Sequence, residues 1–289
     1  MDFLPFLVTQ CLNALSQASI LFFIACGLTL IFGIMRIVNF AHGDFLMLGM
    51  YSTFWGYTLL HLDPLITLPG TTVLLFCFGV LVYRLVIRRI INAPMLSQIF
   101  TTFGLMILLR GLAQFLWKPD FRTIGESSVS GNVAFGSLQV GLPQVVAGAA
   151  AVLTTGAIWW FLNHTRIGAA LEATAADKEA ARLMGIDTDR MFALAWGIGA
   201  ACAGIAGVVL STFFPIYPDV GATFILIAFV VVALGGFGSV AGAFWAGIIV
   251  GEVEVLSGFL IAPAFKMAFV LALFLLVLLV RPQGLLGRT

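Results

Sequence analysis

The chain has 289 residues, of which 61% are hydrophobic and 9% charged, and its net charge is +1. A soluble domain has roughly 45–50% apolar and about 25% charged residues, so this composition indicates a protein that lies in a lipid bilayer. The small net charge and the scattered lysines (Lys118, Lys178, Lys266) exclude a basic surface for nucleic acid.

The apolar runs have the length of membrane helices and lack the ten-residue alternation of membrane β-strands. We therefore predict an all-α polytopic membrane protein, a single transmembrane domain over residues 1–289 with about 8 or 9 transmembrane segments. Some of these are expected to be broken or re-entrant helices. Spans are predicted at 8–34, 44–61, 65–87, 97–117, 143–163, 191–214 and 264–280, with a longer apolar stretch at 223–259.

The stretch 223–259 is too long for one helix and is interrupted at Gly235–Ser239. It predicts either a re-entrant pair or two crossings. Both alternatives place the two termini on opposite sides of the membrane. The N-terminal apolar run lacks the basic region of a secretory signal and is expected to remain as the first span.

Lys and Arg in the short connections set the predicted orientation. One side has ten of the 14, the other side has Lys118, Arg122 and Lys266, and Arg110 lies inside a span. The side with ten is predicted to be cytoplasmic, which puts the N-terminus in the periplasm and the C-terminus in the cytoplasm. The ten are Arg36, Arg84, Arg88, Arg89, Arg166, Lys178, Arg182, Arg190, Arg281 and Arg288.

The loop 118–142 is then the longest external segment. It either faces an external partner or is a solvated connector. The four cysteines lie singly in apolar segments, which indicates packing and excludes the spacing of metal ligands.

A polar interruption separates the first two spans at Arg36–Asp44. Interrupted backbone is tolerated at membrane depth where it is buried in protein or lines a wet cavity, so this segment is a candidate pathway wall. An ordinary cytoplasmic turn is the alternative. The candidate pathway residues here are Asn39, Phe40, His42, Gly43 and Asp44.

A second interruption and two acidic residues complete the pathway candidates. Small residues at Gly235, Gly236, Gly238 and Ser239 permit a helix break, and close packing alone is the alternative. Glu252 and Glu254 are costly within an apolar segment, unless they lie at its interfacial end. Arg110, inside a span, either snorkels or pairs with an acid.

The segment 166–190 is rich in alanine and charge and predicts a short cytoplasmic helix that Gly185 terminates. Asp187 or Thr188 can cap the span that follows. We interpret the helix as a docking surface in which Ala180, Leu183 and Met184 enter a groove of a partner; a solvated connecting helix is the alternative.

Motifs for chemistry are absent from the sequence. No Gly-Lys dipeptide exists, so there is no phosphate-binding loop, and the three histidines lie far apart. Two classes of function remain: a membrane subunit energised through its cytoplasmic helix, and a stand-alone secondary transporter or channel. Ion coupling would need buried ionisable groups, for which Asp44, Glu252 and Glu254 are the candidates.

Three blocks resemble the permeases of branched-chain amino acid ABC transporters: Gly27–Gly49, with its Asn39-Phe-Ala-His-Gly-Asp44 core, Leu234–Ala243, and Val280–Gly287. The resemblance covers essentially the whole chain. Glu179-Ala180-Ala181 followed by Gly185 is similar to the signature of importer coupling helices, although the Ile-x-Leu-Pro that often follows is missing.

The resemblance implies an ABC importer permease fold in a bacterial inner membrane and a non-catalytic subunit without cofactor, since partners bind ATP and Mg²⁺. It implies a second related permease, two ATP-binding subunits and a periplasmic solute-binding protein. The resemblance does not identify the solute, which is a branched-chain amino acid, urea, an amide or an aromatic carboxylate. The implied coupling residues are Glu172, Asp177, Lys178, Glu179, Ala180, Ala181, Arg182, Leu183, Met184 and Gly185.

Overall fold

A computed structural model describes residues 3–125, 127–135 and 138–287. Arg288, which the sequence assigns to the cytoplasmic side, and parts of the loop 118–142 lie outside the described residues. The elements are, in order, α1 (Phe3–Met35), α2 (His42–Leu60), α3 (Pro64–Val82), a π-helical turn (Tyr83–Ile87), α4 (Arg88–Ile90), α5 (Met95–Trp117), β1 (Asn132–Phe135), β2 (Leu138–Gly141), α6 (Leu142–His164), α7 (Arg166–Ala176), α8 (Lys178–Leu183), α9 (Thr188–Leu210), α10 (Val220–Gly235), α11 (Val240–Leu260), a 3-10 turn (Pro263–Phe265) and α12 (Lys266–Val280).

Seven helices in the described residues are long and apolar enough to cross a membrane. They correspond to six of the predicted spans and to the second half of the stretch 223–259. They are Val8–Met35, Pro64–Ile90, Met95–Trp117, Leu142–His164, Thr188–Leu210, Val240–Leu260 and Pro263–Val280. With α2 and the shorter apolar α10, the described part of the chain has nine such helices, which is consistent with the prediction of about 8 or 9 segments.

The predicted span 44–61 corresponds to α2, which is not among the seven because polar side chains such as His42 and Asp44 lie in its first turn. The stretch 223–259 consists of the two helices α10 and α11. Their break at Gly236–Ser239 lies where the sequence predicted it.

The bundle is built around α1 and α9, which are mostly buried, whereas α5, α6 and α12 are largely exposed. Glycines bring helix backbones together at several crossings. A Cβ on Gly79 would lie 2.5 Å from the Trp196 carbonyl oxygen, and one on Gly49 would lie 3.0 Å from Gly204 Cα. This agrees with the tight packing that the glycine content predicts.

The loop between α5 and α6 contains a structure that the sequence analysis did not predict. Strands β1 and β2 form an antiparallel hairpin. Arg122 in the same loop pairs through its backbone with Ile216, in the α9–α10 connection. The loop is therefore attached to the bundle at this end.

Candidate functional site

The segment that joins α1 to α2 is buried in the protein at every second residue from Ile37 to Ala41. Helix α1 ends at Met35; the next residue, Arg36, has a φ of +56°, and Ile37, Asn39 and Ala41 are fully buried. Thr102 of α5 donates its hydroxyl to the Val38 carbonyl at 3.0 Å, and the Ala41 amide donates to Asn39 Oδ1 at 3.1 Å. The segment is thus held by neighbouring helices, unlike an ordinary solvated turn.

The first residue of α2 lies level with the middle of a membrane-spanning helix. The His42 ring packs against Gly27, where an added Cβ would lie 2.9 Å from the ring. The same Cβ would lie 2.5 Å from the carbonyl oxygen of Gly199, at the midpoint of the 23-residue helix α9. Helix α2 therefore begins at mid-membrane depth.

Helix α10 begins at the same depth, because its first turn contacts the first turn of α2. A Cβ on Gly43 would lie 2.5 Å from the Gly221 carbonyl oxygen, which leaves no space for any side chain. The N-termini of these two helices therefore meet in the middle of the bundle. Transporters form solute sites from discontinuous helices whose N-termini meet in this way.

Three charged residues from three elements lie beside this junction. Arg110 Nε of α5 is 3.3 Å from Asp44 Oδ1 of α2 and 3.4 Å from Asp219 Oδ1, at the start of α10. Gln114 donates its amide to Asp219 Oδ2 at 3.2 Å. We call Asp44, Arg110, Gln114 and Asp219 the charged cluster.

Exposure changes steeply across the charged cluster. The Asp219 side chain is 51% exposed, that of Arg110 is 19% exposed, and that of Asp44 is 1% exposed. Asp44 Oδ2 has no hydrogen-bond partner among the described residues. A buried carboxylate oxygen without a partner is energetically costly, which makes it a candidate for function.

Aromatic side chains lie next along the same surface. The Phe40 ring is 5.3 Å from that of Phe229 of α10 and 6.4 Å from that of Phe103 of α5. Phe103 precedes Arg110 by seven residues, which is two helical turns and the same helix face. An apolar surface thus continues from the charged cluster between α5 and α10.

The second predicted interruption lies elsewhere. Gly236 and Gly238, with φ of +97° and +84°, form the α10–α11 turn, and the Gly238 amide donates to Thr29 Oγ1 at 3.0 Å. The Leu285 amide donates to the Leu234 carbonyl at 2.8 Å, so the C-terminal segment packs on the turn. The structure does not bring Gly235, Gly236, Gly238 and Ser239 together with Asp44; Ser239 caps α11 by accepting from the Gly242 amide.

Glu252 and Glu254 of α11 each interact with a residue of α1, away from the charged cluster. Gln17 of α1 donates its amide to Glu254 Oε2 at 3.4 Å. Both side chains are partly exposed. Helix α11 continues to Leu260, six residues beyond Glu254, so the two glutamates are not at the end of this span, and neither lies beside Asp44.

The predicted cytoplasmic helix is two helices, α7 and α8. Asp177 separates them because its carboxylate accepts from the Glu179 and Ala180 amides and so starts a new helix. Gly185 ends α8 with a φ of +82°, and Asp187 caps α9 by accepting from the Arg190 amide. The predicted C-cap and the cap of the following span are confirmed, and the single helix is corrected to two.

Helix α8 is fixed on one face and exposed on the other. Lys178 donates its ammonium to Asn92 Oδ1 at 3.0 Å, and Arg182 donates to Thr188 Oγ1 at 2.8 Å. Ala181 is buried, whereas Glu172, Glu179 and Ala180 are exposed. Leu183 is 89% exposed and Met184 is 82% exposed. Large apolar side chains held in such positions are typical of a docking surface.

Arg110, Gln114 and Asp219 are not among the site residues that the sequence predicts. An arginine inside a span was a signal for Arg110. Nothing in the sequence indicates a site at Asp219, because a residue between two predicted spans is expected to lie in solvent. In the structure, the helix that follows Asp219 begins at mid-membrane depth instead.

The chain matches the family model described as branched-chain amino acid transport system, permease component, over residues 10–278. The chain belongs to this family. It is 33% identical to the high-affinity branched-chain amino acid transport system permease protein LivH of Escherichia coli K12, over 99% of this chain and 97% of that protein. It is 29% identical to BraD of Pseudomonas aeruginosa, over 96% and 95%, and 27% identical to a probable LivH of Methanocaldococcus jannaschii, over 95% and 91%.

Two of the sequence blocks that resemble this family have defined places in the fold. Asn39–Asp44 forms the mid-membrane junction, and Leu234–Ala243 packs against the C-terminal block. The chain is a multi-pass membrane protein and a permease component of the branched-chain amino acid transport family.

Proposed function

We propose that this permease is the membrane subunit of an ATP-driven importer for branched-chain amino acids or a related small solute. The relatives named above are permeases of branched-chain amino acid transport systems, and they match over nearly their whole length. The subunit itself is non-catalytic, and partner subunits bind ATP and Mg²⁺. A second, related permease and a periplasmic solute-binding protein complete the assembly.

The exposed face of α8 is the observation that carries this proposal. Leu183 and Met184 are almost fully exposed next to Glu179 and Ala180, while Lys178 and Arg182 hold the helix against the bundle. A rigid helix with an apolar tip suits insertion into a groove of an ATP-binding subunit. Motion of that subunit would then pass through α8 to α9, which follows directly.

The solute path is proposed to run along the junction of α2 and α10. Asn39, Phe40, His42, Gly43 and Asp44 lie at or next to the start of α2, at mid-membrane depth. Backbone that is interrupted there is a feature of alternating-access transporters. The glycines at Gly235–Gly238 and the two glutamates are assigned to turn formation and helix packing instead.

A stand-alone transporter driven by an ion gradient is the second candidate. The charged cluster favours it, because ion-coupled carriers have ionisable groups at mid-membrane depth. Exposure of Leu183 and Met184 on an ordered helix favours the importer. The two functions differ in the subunits that accompany the chain and in the source of energy.

The deciding experiment is extraction of the tagged chain from native membranes in mild detergent, followed by mass spectrometry and reconstitution in liposomes. We expect two ATP-binding subunits and a second permease, and uptake of leucine that requires ATP and the external protein. A chain that is extracted alone and moves solute without ATP would replace the importer with the secondary transporter.

A further inference from the structure

The charged cluster combines opposite charges with two helix ends. Arg110 lies between Asp44 and Asp219, so the three side chains together carry one negative charge. The N-termini of α2 and α10 each contribute a partial positive charge of about half a unit. The site as a whole is therefore close to neutral, and a neutral solute with separated charges would enter it without changing that balance.

The N-cap residues of α2 and α10 do not cap these helices with their own side chains, although the Ala41 amide already donates to Asn39 Oδ1. The residues before α2 and α10, Ala41 and Asp219, make no side-chain capping hydrogen bond, whereas Asp63, Asp177 and Asp187 cap α3, α8 and α9. Asp219 instead accepts from Arg110 and Gln114. Uncapped helix N-termini attract anionic groups.

Asp44 supplies a separate indication of a ligand. Its side chain is 1% exposed, Oδ1 accepts from Arg110, and Oδ2 has no partner in the described part of the chain. A buried carboxylate with a free oxygen can accept a hydrogen bond from a cationic donor.

We propose that the Asp44–Arg110 pair is a binding site for a zwitterionic amino acid, which inserts between the two side chains. The ammonium group of the solute donates to Asp44 and takes the place of Arg110 there. The carboxylate of the solute binds the Arg110 guanidinium and lies near the uncapped helix ends. This site rests on the proposed function and specifies how its solute is recognised.

The energetics of ion pairs favour this exchange over binding of a singly charged solute. Breaking a buried pair is costly because each charge is left without a partner. A zwitterion supplies both replacement partners at once. An anion alone would leave Asp44 unpaired, and a cation alone would leave Arg110 with the half-exposed Asp219.

The surroundings are suited to an apolar side chain on that zwitterion. Ile107 and Phe103 lie on the same face of α5 as Arg110 and are exposed. Leu226, seven residues after Asp219 on α10, is also exposed. The solute enters from the exposed side of the cluster, where Asp219 and Gln114 lie, and places its side chain on this apolar surface. This arrangement matches a branched or otherwise apolar amino acid.

The test uses the purified permease complex in lipid nanodiscs without the external binding protein, so that selection by that protein plays no part. The probes are L-leucine, leucinamide and 4-methylpentanoate, which share one carbon skeleton. Binding is measured by saturation-transfer NMR. We expect leucinamide, without the carboxylate, and 4-methylpentanoate, without the ammonium, to bind roughly tenfold or more weakly than L-leucine, the loss of one charge-assisted hydrogen bond each.

Variants then assign the contacts. Asp44→Asn should lower the affinity for L-leucine by roughly tenfold or more and leave that for 4-methylpentanoate unchanged, because the latter does not use Asp44. Arg110→Gln should lower the affinity for L-leucine by a similar factor and leave that for leucinamide unchanged, because leucinamide has no carboxylate to bind Arg110. If Arg110→Gln does not fold, Asp219→Asn is used in its place. Asp120→Asn, an exposed carboxylate outside the cluster, is the matched control and should bind all three probes as the wild type does.

Wild-type affinity for L-leucine in Asp44→Asn, or an equal loss for all three probes, overturns the site. ATP-driven uptake of leucine by the full importer is measured separately. Uptake without the predicted probe pattern removes this site and leaves the proposed function standing. The probe pattern without uptake removes the proposed function and keeps the site.

Discussion

Gly43 and Gly221 bring the first turns of α2 and α10 into direct backbone contact. A Cβ on Gly221 would lie 2.5 Å from the Gly43 carbonyl carbon, and one on Gly43 would lie 2.5 Å from the Gly221 carbonyl oxygen. Real Cβ atoms are not found at such distances from backbone atoms. The separation of the two helix N-termini, and with it the geometry of the charged cluster, depends on the absence of both side chains.

Gly221→Ala should push the two helix ends apart. We expect a loss of stability of about 1–3 kcal/mol, the usual cost of overpacking, together with a large loss of uptake. Thermal unfolding of the purified complex and leucine uptake in liposomes measure the two effects. Gly111→Ala is the control, since it lies next to Arg110 and has no atom within 4 Å of the added Cβ. Equal behaviour of the two variants would contradict the close contact.

Replacement of Leu183 and Met184 by alanine should weaken binding of the ATP-binding subunits and leave the fold intact. Both side chains are exposed, so their truncation removes no internal contact. Loss of apolar anchors at an interface costs roughly tenfold or more in affinity. Co-purification of the ATP-binding subunits measures the effect. Ile167→Ala, which removes an exposed apolar side chain from α7 of the same segment, should co-purify normally.

Asp177→Ala should destabilise α8 by about 1 kcal/mol, because the Glu179 and Ala180 amides lose their acceptor. Asp177→Asn keeps a side-chain oxygen at that position and should preserve the helix. Hydrogen exchange of the amides at 178–183 measures local opening, which should increase about fivefold in the alanine variant only. Identical exchange in the two variants would mean that the cap does not hold the helix.

Much of the bundle follows from the sequence because a lipid environment allows few alternatives. Apolar runs of helix length predict the spans, and Gly235–Ser239 marks the break between α10 and α11. The number of helices in the segment 166–190 does not follow, because its composition predicts that Asp177 is a charged residue within one helix. Its role as a cap depends on an extended backbone, φ −151° and ψ 110°, that composition does not reveal.

The charged cluster was predictable only in part, because the sequence shows its residues but not the tertiary packing that brings them together. Asp44 lies in a polar interruption, which is a visible pattern, and Arg110 lies within an apolar span. The pairing of Asp44 with Arg110 depends on the return of the segment 36–41 into the bundle. The pairing of Asp219 with Arg110 depends on the place where α10 begins. Tertiary packing of glycines determines both positions.

The predicted orientation can be tested by labelling single cysteines in intact cells. The four native cysteines are replaced first, since Cys77 is exposed. A membrane-impermeant maleimide should label Ser127→Cys, in the predicted periplasmic loop, without lysis, and should label Leu183→Cys only after lysis. The distribution of Lys and Arg is the physical reason. The opposite pattern would invert the orientation and place α8 outside.

The attachment of the loop 118–142 should depend on pH through Asp63. This residue caps α3 by accepting from the Leu65 amide, and its Oδ2 accepts from the Ser128 amide at 2.6 Å. Burial alone raises the pKa of the Asp63 carboxyl, but the hydrogen bonds from Ser128 and Leu65 outweigh it and hold the pKa below its ordinary value. The contribution of Asp63 to stability is therefore present above the pKa of the unfolded chain and is lost as the pH falls through the lowered pKa.

We expect the amides of Ser128 and its neighbours to be protected from hydrogen exchange near neutral pH. Their protection, measured against the intrinsic exchange rate at each pH, should fall as the pH drops below about 4, the ordinary pKa of aspartate. Asp63→Asn, which cannot ionise, should remove this additional pH dependence. Asp120→Asn in the same loop should retain it, because Asp120 does not hold Ser128. Pronounced acid-induced opening in Asp63→Asn would assign the effect to another carboxylate and leave Asp63 as a helix cap alone.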